Sequence, residues 1–243
     1  MNNFDWGAVE SRRRIWQPNN PAANSELALA PLTISRCLSL TCLEPAVAGF
    51  ITEGLDRADK FKLGDIVVKT LLDNIKDEAK HELALDRARL ATANYTSKFE
   101  AEGLQLAKAW DELADDPILK TACLENGVFF VILPLYSQFG GAGLRVTSGS
   151  ISGDERLHVQ THRIAARLLG TRPSLALNKL RLETIYWTGK DINELGDSRW
   201  TVDRLIANSN SLMTRGVSDL IETQVCNVNA PFELSNLTIE AYS

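Results

Sequence analysis

Basic charge, glycine, proline and long apolar runs are all scarce in this chain of 243 residues. Lysine and arginine number 26 against 31 acidic residues, a net charge of −5, and that balance offers no basic footprint for nucleic acid or an anionic membrane surface. Fifteen glycines and eight prolines are too few to punctuate many short strands, which turns the reading toward helices. The four cysteines, Cys37, Cys42, Cys123 and Cys226, lack C-x-x-C spacing and lie in or beside apolar stretches; they read as reduced core thiols of a cytoplasmic protein. The opening MNNFDWGAVESRRRIW has no apolar signal core, and the longest apolar run, GVFFVILPLY, reads as too short for a bilayer.

What is present is helical spacing. Residues 24–57, 65–93, 98–113, 117–139, 146–169, 173–188 and 202–226 carry it, with a break expected near Pro45 and Asp65 expected as an N-cap after Gly64. KFKLGD, ADDP, FGGAG and GTRP supply turn chemistry between them. Long helices on short connections predict an all-α fold, an antiparallel four-helix core with additional helices. Residues 1–227 read as one domain. Residues 228–243, in the stretch NVNAPFELSNLTIEAYS, have no sustained period and read as a flexible tail.

Only three histidines occur, and two of them close the same pattern, DEAKH at 77–81 and DERLH at 154–158. A glutamate and a histidine at i and i+3 share one helix face, so each pair, Glu78 with His81 and Glu155 with His158, can offer a metal one oxygen and one nitrogen. Both faces are otherwise apolar, and an unpaired carboxylate buried there costs several kcal/mol. A pair of metal ions resolves that cost, given one further acid from each remaining helix. Glu44, in LSLTCLEPAVAGF, and Glu125, in ACLENGVFFVILPLY, supply them at hairpin spacing from Glu78 and Glu155. Glu53 competes with Glu44 but has more polar neighbours. Four carboxylates and two imidazoles, Glu44, Glu78, His81, Glu125, Glu155 and His158, suit iron or manganese better than structural zinc. His162, with no glutamate three residues before it, reads as a supporting or ordinary helical residue.

LTCLE, LENGVFF, SISGDERLH and, near the amino end, IWQP together resemble the radical-generating small subunit of class I ribonucleotide reductase, of the ferritin-like superfamily. The resemblance runs in order from Trp16 to His158, with an echo of that family's docking peptide in ELSNL of the tail. It implies a ferritin-like bundle holding two iron and/or manganese ions, a homodimer, and a separate large catalytic subunit reached through the tail. It implies that Asp154 links His81 to the indole of Trp16, opening an electron-transfer route, and that Phe129, Leu133 and Ile151 line an apolar pocket beside the metals. The family's first ligand is usually aspartate, in some branches glutamate. Its radical-storing tyrosine falls at Leu85 here, which points to a branch that keeps the oxidising equivalent on the metals. Tyr242 is the tail's tyrosine and a candidate radical relay, although it follows the docking-like peptide instead of preceding it. The chain is also short for the family.

Two rival readings share the bundle. Leu85 suits a stand-alone di-iron oxygenase or oxidase, and a storage or structural bundle would need no large subunit.

Overall fold

The computed structural model describes residues 10–18, 27–57, 64–169 and 173–214. Among these residues the fold is all-α, without strands. Helix α1 (Pro31–Leu55) leads to α2 (Asp65–Ala91), α3 (Glu100–Glu112), α4 (Pro117–Phe139), α5 (Gly141–Leu169), α6 (Leu175–Thr188) and α7 (Val202–Thr214), with short 3₁₀ turns at Ser97–Phe99 and Ile192–Leu195.

Four of these rods close a ring around one interior: α1 packs on α2, α2 on α5, α5 on α4 and α4 on α1. Helices α4 and α5 are joined through Gly140 alone, and so short a join makes them antiparallel. Glu125 and Glu155 lie equally far along the chain on either side of Gly140, so they come level. The shorter helices α3, α6 and α7 cover the outer sides of α1 and α4. That cover explains composition: α1 and α4 carry few charged residues, whereas α2 and α5 keep a charged outer face.

By length and hydropathy α1 and α4 are each sufficient to cross a membrane, contrary to the expectation from GVFFVILPLY. The apolar run is extended upstream by PILKTAC into one helix of 23 residues, and 89% of its most apolar window is buried within the protein, against 72% for α1. Both are covered core helices in this fold.

Local chemistry sets the boundaries. Helix α1 begins at Pro31 and not at residue 24, because proline's fixed φ and missing N–H suit a first helical position. Its expected break comes as a 3₁₀ turn at Leu40–Cys42. Pro45 has no N–H for the Thr41 carbonyl and its ring crowds that oxygen, so the ladder tightens just upstream and restarts at Leu43. Gly64 is the N-cap of α2, and Asp65, expected in that role, is its first helical residue, an acid suited to the positive end of the helix dipole. Asp116 caps α4 by accepting from the N–H groups of Ile118 and Leu119, with Pro117 following. Lys120, buried, donates to the carbonyls of Trp110, Asp111 and Leu113 and so closes the end of α3. Helix α5 starts five residues before the expected 146: the turn in FGGAG uses only Gly140 and Gly141, the latter at φ 87°.

Helix α4 carries the largest irregularity, a π-helical segment at Leu124–Phe129. Such a segment widens the turn by one residue and frees backbone groups that need other partners. Here Ser209 of α7 donates to the Gly127 carbonyl at 2.5 Å, and α7 is tied to the segment a second time by the Asn126 side chain, which donates to the Leu212 carbonyl at 2.9 Å. Gly127 permits the approach, since a Cβ there would lie 2.5 Å from Cδ of buried Arg181.

Cys37, Cys42 and Cys123 are free thiols, as expected; Cys226 lies outside the described residues, as do residues 228–243.

The 3₁₀ turn of α1 rests directly on α3. A Cβ on Gly103 would come within 2.4 Å of the Ser39 carbonyl oxygen. Gly103→Ala is expected to destabilise the protein by about 1–3 kcal/mol, read as a lower midpoint in urea denaturation; an unchanged midpoint would contradict this packing.

Candidate metal centre

Each of the four ring helices sends acid inward. Glu44 comes from α1, Glu78 and His81 from α2, Glu125 from the π-helical segment of α4, and Glu155 and His158 from α5, and all six are buried. In α2 and α5 regular helical spacing places the glutamate and histidine one turn apart on the inner face. Glu53, the competitor of Glu44, is exposed and faces the opposite surface beside Arg57 and Asp111.

The six side chains meet in two overlapping groups. Donor atoms of Glu44, Glu78, His81 and Glu155 all lie within 4.8 Å of one another, and so do those of Glu78, Glu125 and His158. Nδ1 of His81 is 3.3 Å from Glu155 Oε1 and 3.6 Å from Glu78 Oε2. Nδ1 of His158 is 2.8 Å from Glu78 Oε1 and 3.5 Å from Glu125 Oε1. The two imidazole centres are 5.6 Å apart.

Close approach does not become hydrogen bonding. Glu44 Oε2, both oxygens of Glu78 and of Glu155, Glu125 Oε1, and Nδ1 of both histidines are buried without a hydrogen-bond partner. Buried polar atoms are ordinarily paired; eight orphaned donors of metal-ligand type around one space are the arrangement that cations satisfy. The buried group Glu44, Glu78, His81 and Glu155 can therefore hold a metal ion.

The outward nitrogen of each histidine is engaged. His81 Nε2 is 3.3 Å from Asp154 Oδ2, and the same oxygen accepts from Trp16 Nε1 at 2.7 Å. The half-buried indole of Trp16 stacks on His81 at 6.1 Å. His158 Nε2 is 3.2 Å from Asp77 Oδ2. The aspartates cross over, each repeated motif supporting the other motif's histidine. An imidazole whose Nε2–H is held this way turns its Nδ1 lone pair toward the shared space. Lys80 lies between the aspartates, with Nζ 2.6 Å from Asp77 and 3.5 Å from Asp154.

A small cavity of about 10 Å³ adjoins Glu44, room for roughly one water. Leu85, Phe129, Leu133 and Ile151 line it, the four apolar residues singled out from the sequence. Cys37 and Tyr136 are also among its lining residues. Cys37 was read from the sequence only as a core thiol, and Tyr136 was not singled out, although a lone tyrosine in FFVILPLY is a visible signal. Asp77 was also missed as a supporting residue, despite heading the first repeat as Asp154 heads the second. His162 supports Glu125, with Nδ1 2.5 Å from Oε2. Tyr242 lies outside the described residues.

Without bound cations, protons carry part of the neutralisation. Burial, reinforced by Glu78 and Glu155, raises the Glu44 carboxyl well above its ordinary range. Burial, with Glu125 and Glu78, pushes Glu155 up to about 7. Burial alone would raise Glu78 as well, but the His158 imidazole overrides it and holds Glu78 low. The imidazoles are raised although burial opposes it, His81 chiefly by Asp154 and His158 chiefly by Glu78.

Groups raised in this way bind protons near neutral pH, and a metal ion must displace them, so affinity falls as pH falls. Apparent affinity for Mn(II) is expected to drop by at least about tenfold per pH unit between pH 8 and pH 6, one proton released giving one decade. Titrations at three pH values, with proton uptake followed in weak buffer, check this; a pH-independent affinity would refute it. No family model, curated protein or solved structure matches the chain, so the centre is read from its own geometry.

Proposed function

We propose that this chain is a ferritin-like protein holding two iron and/or manganese ions, and that it serves as the radical-generating small subunit of a class I ribonucleotide reductase. In that reading it works in the cytoplasm as a homodimer, with a separate large subunit engaged through residues 228–243. The observation that carries the proposal is the continuous chain His81, Asp154, Trp16, in which one carboxylate oxygen contacts both a histidine of the centre and an indole.

A bound iron or manganese pair supplies oxygen activation and one-electron oxidation. Glu44, Glu78, His81 and Glu155 would hold one ion, and Glu78, Glu125 and His158 the other. Leu85, Phe129, Leu133 and Ile151 keep bulk water from the inner side of the centre, which protects an oxidising equivalent from quenching. Asp154 fixes the His81 tautomer and holds the indole proton, so loss of an electron from Trp16 can be coupled to movement of that proton onto a carboxylate already in contact. Trp16 is half-buried, so the oxidised indole is accessible to a partner protein.

Leu85 favours the alternative of a stand-alone di-iron oxygenase, because no phenol occupies its position. The cavity argues the other way. At about 10 Å³ it admits a diatomic molecule or one water, but no organic substrate. An oxidant confined there leaves by electron transfer more readily than a substrate enters.

Trp16→Phe removes the indole proton donor and raises the cost of oxidation at that position. In the metal-loaded protein it is expected to lower large-subunit-dependent nucleotide reduction by at least ~100-fold, about 2.7 kcal/mol, with metal content unchanged. The measurement uses the large subunit encoded in the same host. Full activity of Trp16→Phe would refute the route through Trp16, and oxygen consumption driven by a small organic substrate without any large subunit would overturn the proposal in favour of the oxygenase.

A further inference from the structure

The two halves of the centre are supported differently, and the difference leads to one residue outside it. Glu125 and His158 belong only to the second donor group, whereas Glu78 completes it from α2. Both lines of support behind them end at Arg13. The Arg13 guanidinium donates through Nη1 to Asp77 Oδ2, the oxygen that faces His158 Nε2. Through Nη2 it donates to Asn74 Oδ1 at 3.0 Å. The Asn74 amide nitrogen is 3.5 Å from His162 Nε2, and His162 Nδ1 is 2.5 Å from Glu125 Oε2. Asn74, Asp77 and His162 are buried, and Arg13 reaches them from the N-terminal segment.

A guanidinium has donors and no acceptor, and that property sets the polarity of both lines. Asn74 must accept from Arg13 with its oxygen, which turns its NH₂ toward His162. His162 must then accept at Nε2 and carry its proton on Nδ1, which donates to Glu125 Oε2. The result leaves Glu125 Oε1 for the centre, and that is the oxygen without a partner. On the other line Asp77, held by Arg13, accepts from His158 Nε2–H, and Nδ1 of His158 is likewise left for the centre.

We infer that Arg13 is the positioning residue of the second cation position, orienting both donors unique to it, while Asp154 and Trp16 serve the first. The inference rests on the two-cation reading above and adds that the positions depend on different residues. Lysine cannot replace Arg13 here, because one ammonium on a flexible stem does not span Asp77 and Asn74 in a fixed fork.

The test is Co(II) loading of the full-length chain, read as ions retained per chain after gel filtration and as the visible spectrum of the bound ion. Wild type is expected to retain two. Arg13→Gln and Arg13→Lys are expected to weaken the second position about 10–100-fold and to retain one ion, whose spectrum matches that of the first ion loaded into wild type. Asn74→Ala, cutting only the Glu125 line, shifts the second position in the same direction by less. Asp154→Asn is expected to weaken the first position instead. Circular dichroism verifies folding, and if Arg13→Gln does not fold, Asp77→Asn and Asn74→Ala carry the test. Equal loss at both positions, an altered spectrum of the first ion, or two ions retained in folded Arg13→Gln would overturn the role of Arg13. A wild-type chain that retains no metal would instead overturn the two-cation reading itself.

Discussion

Buried carboxylates repel one another and lose their hydration together, and this protein gathers six of them around two imidazoles in an apolar interior. Glu44, Glu78, Glu125 and Glu155 face the shared space, with Asp77 and Asp154 directly behind the histidines. Among the described residues, only the Arg13 guanidinium and the Lys80 ammonium bring permanent positive charge to these aspartates. With all six acids ionised and the imidazoles neutral, the residues leave a formal deficit that two divalent cations would cancel. Protons offset part of it in their absence, which is why burial lifts Glu44 and Glu155 while the imidazoles are lifted by their acid neighbours. A cluster of this kind destabilises a fold by several kcal/mol for each unneutralised ion, so its presence in the core calls for a ligand.

The helices meet this requirement in two ways. Where a helix must deliver a glutamate and a histidine together, regular α-helical spacing is enough, and α2 and α5 run unbroken through the centre. Where a helix delivers one acid, the ladder is distorted nearby: α1 tightens to 3₁₀ at Leu40–Cys42 just before Glu44, and α4 widens to a π-helix around Glu125. Each distortion is held from outside the ring. Helix α3 packs on the first through Gly103, and α6 and α7 brace the second through Arg181, Ser209 and Asn126. The outer helices thus fix the aim of Glu44 and Glu125 as well as covering apolar surface.

That division also explains what was legible in the sequence. The pattern D-E-x-x-H follows helical period, so Glu78, His81, Glu155 and His158 were readable from spacing. Glu44 and Glu125 were readable because a lone acid in an apolar run is costly unless it has a purpose. The π-helical segment was not, since its local residues, Leu-Glu-Asn-Gly, are compatible with a plain helix; tertiary partners on α7 stabilise it. Nor was the crossing of Asp77 to His158, because the pattern gives spacing along one helix and says nothing of which neighbour lies opposite. Arg13 gave no signal at all, one arginine in a run of three, and only the folded path of the N-terminal segment distinguishes it. The length of the apolar helix was underestimated for a similar reason: a contiguous apolar run understates a helix whose remaining turns contain scattered polar residues such as Lys120 and Thr121.

The two supporting arms differ in what they can transmit. On the His81 side the arm ends in an indole, which has an electron to give and an N–H already bonded to Asp154. On the His158 side it ends in a guanidinium, a closed-shell cation without an acceptor or an accessible oxidation state, so that arm can orient and neutralise but cannot conduct. Lys80 touches both aspartates and lies 5.2 Å from the Trp16 ring, a position where a fixed positive charge disfavours an oxidised indole. On the proposed function, then, of the two supporting arms only the one on the His81 side could carry an oxidising equivalent outward, and the nearby charge of Lys80 would favour passing it onward over storing it on Trp16.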